Sequence, residues 1–352
     1  AIGEAAVRAG AVAYFCYPIT PQTEVAEYLA RRMPESGGVF LQAESEVAAV
    51  NMIFGAAGAG ERVFTSSSSP GVSLMAEGMS YLAGAELPAV LINIMRAGPG
   101  LGGILPAQGD YFQATKGGGH GDYRYLVLAP STIQETVDLT FEAFRLTEKY
   151  RNPVMIVGDG LIGQMMEPVD FEGREAPPPM DTSDWATTGC EGRAPHIVKS
   201  LFLDPLKLEA HNHKLHAKYA AMRRDEPRFE RYHAADDDAP ELLMVAYGTT
   251  ARVVRTAIDT LRDEGIKAGL FRPITLFPFP EVELEALSDQ AAVKHILTAE
   301  MSMGQMSEDV ARITRRQKPL HFFSRVGGII PTPAEIVNKA HEILASKGRQ
   351  SA

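Results

Sequence analysis

The sequence predicts an α/β protein with two doubly wound parallel-sheet domains. Short apolar segments alternate with longer segments of helical pattern, which is typical of parallel sheets covered by helices on both faces. Residues 87–94 are almost wholly apolar, as expected for a central strand with both faces buried. An acidic, proline-rich segment at 167–179 interrupts the alternation, which resumes after a second break at 236–240. A chain of 352 residues is long enough for two such domains.

The first domain is predicted over residues 1–166. Its predicted strands are 11–16, 39–41, 62–65, 87–94, 125–128 and 154–157. Its predicted helices are 2–9, a helix from 21 to about 32, 44–57, a helix after 71 that ends near 85, and 133–150. The Gly/Pro-rich loop 96–121 breaks this rhythm, and loops of that length in compact domains are usually functional or disordered.

Residues 167–238 are predicted to form a linker and interface segment, and residues 239–352 the second domain. Within the linker, a highly charged stretch has a narrow apolar stripe that suits a helix lying along another surface. The stripe consists of Leu208, Leu215, Tyr219 and Met222. The second domain has predicted strands at 242–247, 268–271 and 296–299, and predicted helices at 251–264, 306–317 and 334–344.

Composition limits the classes of function. The formal net charge of −10 argues against a nucleic-acid partner or a basic membrane anchor, and no apolar run is long enough to cross a membrane. Only two cysteines occur, Cys16 and Cys190, whereas an iron–sulfur cluster usually needs four thiolates. Cys16 is expected in the core. The chain begins at Ala1 without a methionine or signal sequence, so we expect a missing initial segment and a cytoplasmic location.

The stretch from Tyr17 to Glu24 is a predicted strand, tight turn and helix start. Thr20 stands where a helix N-cap belongs and Pro21 where the first helical residue belongs. A hydroxyl, free amides and a helix dipole at the carboxyl edge of a buried strand suit the carboxylate of a small acid. The alternative is that Thr20 is only a cap.

Three charged residues are further candidates. Glu44 and Glu46 open the second long helix of the first domain, and the small and apolar residues after Glu46 indicate that one of the two carboxylates faces a dry pocket. Both could equally be solvated partners of the helix dipole. Arg96 ends a central strand, where ligands of open α/β sheets bind, and its fork matches a carboxylate. A surface ion pair is the alternative for Arg96.

Weaker signals are read as structural. The segment 98–103 lacks the continuation into a helix that a phosphate-binding loop needs. His120, in the glycine-rich segment 116–121, is a possible proton carrier but more often such a loop histidine is inert. The spacing of His211, His213 and His216 fits no single helix face, which argues against a metal site.

Several segments together resemble the alpha subunit of 2-oxoacid:ferredoxin oxidoreductases. They span nearly the whole chain in order, and the loop 109–124 looks most like the branched-chain, or 2-oxoisovalerate, type. The segments are YPITPQTEVAEYLA (17–30), QAESEVAAVNMIFGAAGAG (42–60), TSSSSPG (65–71), AELPAVLINIMRAGPG (85–100), YRNPVMIVGDG (150–160), GTTARVV (248–254), GLFRPITLFPFP (269–280), AEMSMGQM (299–306) and RVGGIIPTP (325–333). Gln22 stands where a serine is common in the family.

This resemblance implies a pyrimidine-binding domain for thiamine diphosphate, followed by a transketolase-C-terminal-like domain. The glutamate matching Glu46 hydrogen-bonds N1′ of the aminopyrimidine in the family and so activates the cofactor. The residues matching Thr20 and Arg96 hold the substrate carboxylate, and Tyr17 lies in the same motif. The implied reaction is oxidative decarboxylation of a 2-oxoacid with coenzyme A, and 2-oxoglutarate, pyruvate or an aryl-glyoxylate are the alternative substrates.

The resemblance also implies partner subunits. In thiamine-diphosphate enzymes a GDG segment begins a magnesium and diphosphate site that an asparagine completes, but here no asparagine follows Gly158-Asp159-Gly160 before Asn212. A beta subunit is therefore expected to hold Mg2+ and the diphosphate. A gamma subunit and a small ferredoxin-like subunit with [4Fe-4S] clusters are expected too, with ferredoxin as electron acceptor. A non-catalytic scaffold subunit is the alternative of another class.

Overall fold

Helices and strands alternate along the chain in the computed structural model, which describes residues 1–345. The strands are β1 Ala13–Cys16, β2 Val39–Gln42, β3 Val63–Ser67, β4 Val90–Met95, β5 Leu126–Leu128, β6 Val154–Asp159, β7 Phe229–Tyr232, β8 Leu242–Val245, β9 Ala268–Pro273, β10 Thr275–Phe277, β11 His295–Glu300 and β12 Leu320–Ser324. The helices are α1 Ile2–Arg8, α2 Thr23–Glu35, α3 Glu46–Gly58, α4 Ser69–Gly84, α5 Tyr111–Lys116, α6 Ile133–Tyr150, α7 Gly160–Gln164, α8 Pro205–Asp225, α9 Gly248–Asp263, α10 Glu281–Asp289, α11 Gln305–Ile313 and α12 Pro333–Ala345. Most predicted elements are thus confirmed to within a few residues.

The strands form two sheets. One has seven strands in the order β10-β5-β6-β4-β3-β1-β2, and the other has five in the order β12-β11-β8-β9-β7. All neighbours are parallel except β10 with β5 and β7 with β9. The predicted doubly wound α/β fold is confirmed, but each sheet has an antiparallel edge strand that was not predicted. Both are short: β7 has two charged residues between two aromatic ones within a charged stretch, and β10 lies between two prolines.

Two further differences concern segments between strands. The loop 96–121 was predicted without secondary structure, but it contains the short helix α5. The charged stretch forms α8, and three of its four predicted contact residues, Leu215, Tyr219 and Met222, are buried as expected. Leu208 is instead 38% exposed, because it lies in the first turn of α8, ahead of the part that packs on the first sheet.

The two faces of the seven-stranded sheet have separate cores. Along β4, Val90 and Ile92 face the cluster formed with α1, α2 and α6, whereas Leu91 and Met95 face the cluster formed with α3 and α4. Cys16 is fully buried in the first cluster, as predicted. The second cluster continues into the five-stranded sheet, so the two halves of the chain share apolar contacts. None of the helices in residues 1–345 combines the length and apolar character needed to cross a bilayer.

A buried arginine also connects the halves. Arg272 on β9 is 4% exposed, and its guanidinium donates to both carboxylate oxygens of Glu135 on α6, at 2.7 and 2.8 Å. Its Nε donates to Glu230 on β7 at 2.8 Å. One side chain thus links the first sheet's helix layer to two strands of the second sheet.

We expect Arg272→Ala to lower the free energy of unfolding by about 3–5 kcal/mol, because it leaves the partly buried Glu135 without its cation and Glu230 with Arg255 alone. Denaturant unfolding followed by circular dichroism measures the change. Arg312→Ala is the matched control, since this arginine is 56% exposed and pairs with Glu281 at the surface, and its expected cost is at most about 1 kcal/mol. Equal costs for the two variants would show that Arg272 does not stabilise the junction.

Candidate active site

The predicted site residues follow strands at the point where the order of the first sheet reverses. The chain passes from β1 outward to β2 and then returns to β3 on the other side of β1. In open α/β sheets, ligands bind outside the carboxyl ends of the strands at such a reversal. Tyr17 directly follows β1, Ser68 follows β3 and Arg96 follows β4, so their backbones meet at this edge.

The turn after β1 differs from the prediction. Thr20 was expected to cap a helix starting at Pro21, but α2 begins at Thr23 with Gln22 at the N-cap position. The amide of Gln22 donates to the carbonyl of Ile19 at 3.0 Å, so the chain completes a separate turn before the helix starts. The Thr20 side chain is exposed. Its hydroxyl therefore does not cap the helix, and the predicted combination of this hydroxyl with free helix amides is wrong.

Gln22, which sequence reasoning treated as unimportant, holds this turn in place. Its side chain is fully buried, accepts a hydrogen bond from the Ser66 hydroxyl at 2.8 Å and donates to the carbonyl of Tyr17 at 3.2 Å. Burial raises the pKa of Tyr14 well above its usual value, so its phenol stays protonated and donates to Ser66 at 2.5 Å. The feature of the sequence that could have indicated this hydrogen-bonded cluster is the run of hydroxyl residues in a central strand.

Arg96 lies under this turn. Its side chain is 6% exposed, and its two terminal nitrogens donate to the carbonyls of Thr20 and Leu101, each at 3.0 Å. Its Nε is buried and, within residues 1–345, has no acceptor. Leaving such a donor without a partner is costly, more so for a charged group. Arg96 is therefore a buried cation that has no ion-pair partner in the described part of the chain, and it lies against the backbone of Thr20.

A second polar cluster fixes the backbone of Arg96. The Ser69 hydroxyl accepts from the Arg96 amide at 3.0 Å and donates to Asp110 at 2.6 Å. The side-chain amide of Asn93 also donates to Asp110, at 2.9 Å. The side-chain oxygen of Asn93, Oδ1, accepts a hydrogen bond from the backbone amide of Ser69. Burial raises the pKa of Asp110, although the two hydrogen bonds from Ser69 and Asn93 oppose the shift. Sequence reasoning did not identify these three residues, since each belongs to a different segment.

Glu46 is buried and Glu44 is exposed, so one of the two predicted carboxylates does face inward. Ser45 caps α3 by accepting from the Ala48 amide, which places Glu46 at the first helical position. A Cβ atom on Gly71 would lie 2.5 Å from Oε1 of Glu46 and 2.2 Å from the Ser67 hydroxyl. The first turn of α4 therefore approaches the carboxylate so closely that a methyl group at position 71 would have to displace the Glu46 and Ser67 side chains.

The surroundings of Glu46 suit a polar ring. Within residues 1–345 no group hydrogen-bonds to its carboxylate, and the nearby strand β3 has buried hydroxyls without partners at Thr65 and Ser67. An acceptor and unpaired hydroxyls at the edge of a sheet fit a heterocycle that carries N–H or amino groups. The aminopyrimidine of thiamine diphosphate has these groups, so the residues present fit it.

The far end of the loop after Arg96 is attached to the second half of the chain. Gln108 is fully buried, and its amide nitrogen donates to the carbonyl of Tyr247 at 2.9 Å. Its side-chain oxygen accepts from the Thr250 hydroxyl and from the Met301 amide, both at 2.9 Å. The position of this loop therefore depends on both sheets.

The weaker candidates have other partners. Asp159 caps α7 and accepts from the Thr249 hydroxyl at 2.9 Å, and burial raises its pKa. His211 contacts the carbonyl of Gly84 at 2.7 Å through Nε2. His120 is exposed. In the part of the chain that the structure describes, no three His, Cys, Asp or Glu side chains are grouped as a metal site.

Comparisons with known proteins agree with this geometry. Residues 4–229 match the family model of the thiamine-diphosphate-binding part of pyruvate flavodoxin/ferredoxin oxidoreductases, and residues 240–336 match core domain II of pyruvate:ferredoxin oxidoreductase. The chain is 49% identical to the ketoisovalerate oxidoreductase subunit VorB of Methanothermobacter thermautotrophicus, over 96% of this chain and 94% of that protein. It is 33% identical to the 2-oxoglutarate synthase subunit KorA of the same organism, over 96% and 95%.

A solved structure is also similar. The 2-oxoglutarate:ferredoxin oxidoreductase from Magnetococcus marinus, with 2-oxoglutarate, coenzyme A and succinyl-CoA bound, aligns with a TM-score of 0.82 at 26% identity. The alignment covers 97% of this chain, which spans 63% of the length of that structure's chain. A transketolase from Pichia stipitis, at 15% identity and a TM-score of 0.52, shares the fold. The chain therefore belongs to the 2-oxoacid:ferredoxin oxidoreductase family, among its thiamine-diphosphate-binding alpha-type subunits.

Proposed function

We propose that this chain activates thiamine diphosphate through Glu46 and binds the carboxylate of a branched-chain 2-oxoacid, best represented by 2-oxoisovalerate, at Arg96. The assembly would convert the acid to an acyl-CoA and CO2 and pass electrons to ferredoxin. The observation that carries the proposal is the pairing, at one sheet edge, of two buried charged groups: the Glu46 carboxylate, which accepts no hydrogen bond within residues 1–345, and the Arg96 guanidinium, whose Nε has no acceptor there.

Glu46 would act on the aminopyrimidine ring. Bound thiamine diphosphate supplies the nucleophilic carbon for attack on the 2-oxo group. The protein's part is to hold a proton-accepting carboxylate at a fixed position beside the ring, and a carboxylate shielded from water is a stronger hydrogen-bond acceptor than a solvated one. The start of α3 and the close approach of Gly71 fix that position.

Arg96 would hold the substrate's carboxylate. Two of its five N–H donors bind backbone carbonyls, which orients the guanidinium and leaves Nε for an incoming anion. Thr20 lies directly against the guanidinium through its carbonyl, and the residue is exposed. Tyr17 lies at the base of the same turn and is 38% exposed. We propose that both contact a substrate bound at Arg96.

Partner subunits would supply the remaining parts. With two cysteines in 352 residues, the chain falls short of the four thiolates that an iron–sulfur cluster usually needs. We propose a beta subunit that holds Mg2+ and the diphosphate, a gamma subunit, and a small ferredoxin-like subunit that holds [4Fe-4S] clusters. Coenzyme A would be the second substrate of the assembly.

The substrate preference is proposed from the relatives. The ketoisovalerate subunit is 49% identical to this chain, against 33% for a 2-oxoglutarate synthase subunit and 28% for a pyruvate synthase subunit. The test is coenzyme A-dependent reduction of ferredoxin by the purified assembly with 2-oxoisovalerate, 2-oxoglutarate, pyruvate and an aryl-glyoxylate. A higher kcat/KM for any of the other three acids would contradict the proposed preference.

The rival function is a scaffold subunit that completes an interface while catalysis occurs elsewhere. The close packing around Glu46 and the buried Arg96 count against it, because a surface that only fills an interface has no need of unpaired buried charges. The variants below separate the two functions, since a scaffold tolerates them.

We expect Glu46→Gln to leave the assembly intact and to lower 2-oxoacid turnover by about 100-fold or more, because the amide has the shape of the carboxylate but is a weaker proton acceptor. Turnover and co-purification of the subunits are the measurements. Glu44→Gln is the matched control, as its side chain is exposed two residues earlier in the chain. Normal turnover of the Glu46→Gln assembly would refute the role of this residue.

We expect Gly71→Ala to lower turnover by about tenfold or more without unfolding the protein, because the new methyl group displaces the Glu46 carboxylate. Activity as a function of thiamine diphosphate concentration measures the effect on the cofactor site. Gly55→Ala, in a helix with open space around the position, should have no effect on activity. If the two variants behave alike, the close approach of α4 is unimportant for the site.

We expect Arg96→Lys to raise KM for the 2-oxoacid by about 10–100-fold with a smaller change in kcat, because lysine loses the fork that matches a carboxylate. Steady-state kinetics of the assembly give both constants. Arg312→Lys, at an exposed position, should leave KM unchanged. An unaltered KM in the Arg96→Lys assembly would place the substrate carboxylate elsewhere.

A further inference from the structure

The loop that follows Arg96 presents three aliphatic side chains to solvent. Leu101 is 79% exposed, Ile104 is 59% exposed and Leu105 is 55% exposed. Single exposed apolar residues are common on protein surfaces, but three in one short loop next to a buried cation are a local concentration that calls for an explanation.

This loop has a fixed shape. The Ala97 amide donates to the carbonyl of Leu105 at 3.0 Å, and the Gly103 amide donates to the carbonyl of Ala97 at 2.9 Å, so the loop closes on itself. Gly102 has a φ of +58°, and a Cβ there would lie 1.8 Å from the Ala97 carbonyl oxygen. The exposed side chains are therefore held on a defined backbone.

Leu101 lies against the guanidinium of Arg96 through its backbone, and Ile104 follows three residues later in the same loop. The carbonyl of Leu101 accepts from Arg96 at 3.0 Å, beside the Thr20 carbonyl that accepts from the same side chain. The carbonyl of Ile104 lies near Gly160, as does the ring of Pro21 in the neighbouring turn. Leu105 is different, because it packs against Gly328 in the second half of the chain.

We propose that Leu101 and Ile104 form an apolar wall that contacts the aliphatic end of the 2-oxoacid and so selects branched acids. The inference rests on the proposed function. In a 2-oxoacid, one carbonyl carbon separates the carboxylate from the alkyl group. An acid anchored at Arg96 therefore reaches residues whose backbone touches that guanidinium. Covering an aliphatic side chain with an isopropyl group removes apolar surface from water, whereas a second carboxylate would be desolvated there.

The test uses the complete assembly and compares kcat/KM for 2-oxoisovalerate, pyruvate and 2-oxoglutarate. Leu101→Ala should lower the ratio of kcat/KM for 2-oxoisovalerate to kcat/KM for pyruvate by about tenfold or more. The reason is that losing methylene-sized contacts changes the discrimination between two substrates by about that factor. Leu101→Lys should raise the ratio of 2-oxoglutarate to 2-oxoisovalerate, because it offers a cation to the second carboxylate. Leu105→Ala is the matched control from the same loop and should leave both ratios unchanged.

Other outcomes would overturn the inference. An equal change in kcat/KM for all three acids would mean that Leu101 positions Arg96 and does not contact the side chain of the acid. Loss of subunit association in Leu101→Ala, measured by size-exclusion chromatography, would mean that the exposed leucine is covered by a partner protein. If the unmodified assembly turns over no 2-oxoacid at all, the proposed function fails, and the inference fails with it.

Discussion

The close approach of the first turn of α4 to the start of α3 is the constraint on which the site depends. Gly71 leaves no room for a methyl group between the helix and the Glu46 carboxylate. The two helices are neighbours on one face of the sheet, and they follow β2 and β3, the two strands that flank β1 at the reversal of strand order. Helix packing therefore places a carboxylate at a position that solvent barely reaches, where its hydrogen-bonding strength is highest.

Such a site requires buried polar groups at positions where a sheet would normally have apolar ones. Most of these polar groups have hydrogen-bond partners within the protein. The side chain of Gln22 accepts a hydrogen bond from the Ser66 hydroxyl and donates one to the Tyr17 carbonyl in the turn after β1. Asp110 accepts from Ser69 and Asn93 and so fixes the backbone at Arg96. Among the buried groups without partners in residues 1–345 are Nε of Arg96 and the hydroxyls of Thr65 and Ser67 on β3. These groups are the ones at the proposed site that remain available to a ligand.

Much of this could be predicted from the sequence. The helix α6 was predicted at its observed bounds, and the burial of one carboxylate at the start of α3 followed from the small residues behind Glu46. The start of α2 was missed because a local hydrogen bond between Ile19 and Gln22 overrode the capping pattern. Local patterns also cannot reveal partners far apart in the chain, such as Asp110 with Asn93, or antiparallel strands as short as β10.

The two halves of the chain are coupled through the loop that carries Arg96. Its first residue, Arg96, is tied to the start of α4 and to the turn after β1, whereas Gln108 at its far end is held by Tyr247, Thr250 and Met301 of the second half. A glutamine with five backbone or side-chain hydrogen bonds in a dry environment resists displacement, since each broken bond leaves a buried group unsatisfied. The second half of the chain therefore holds the far end of the loop that begins at Arg96, without supplying a predicted site residue.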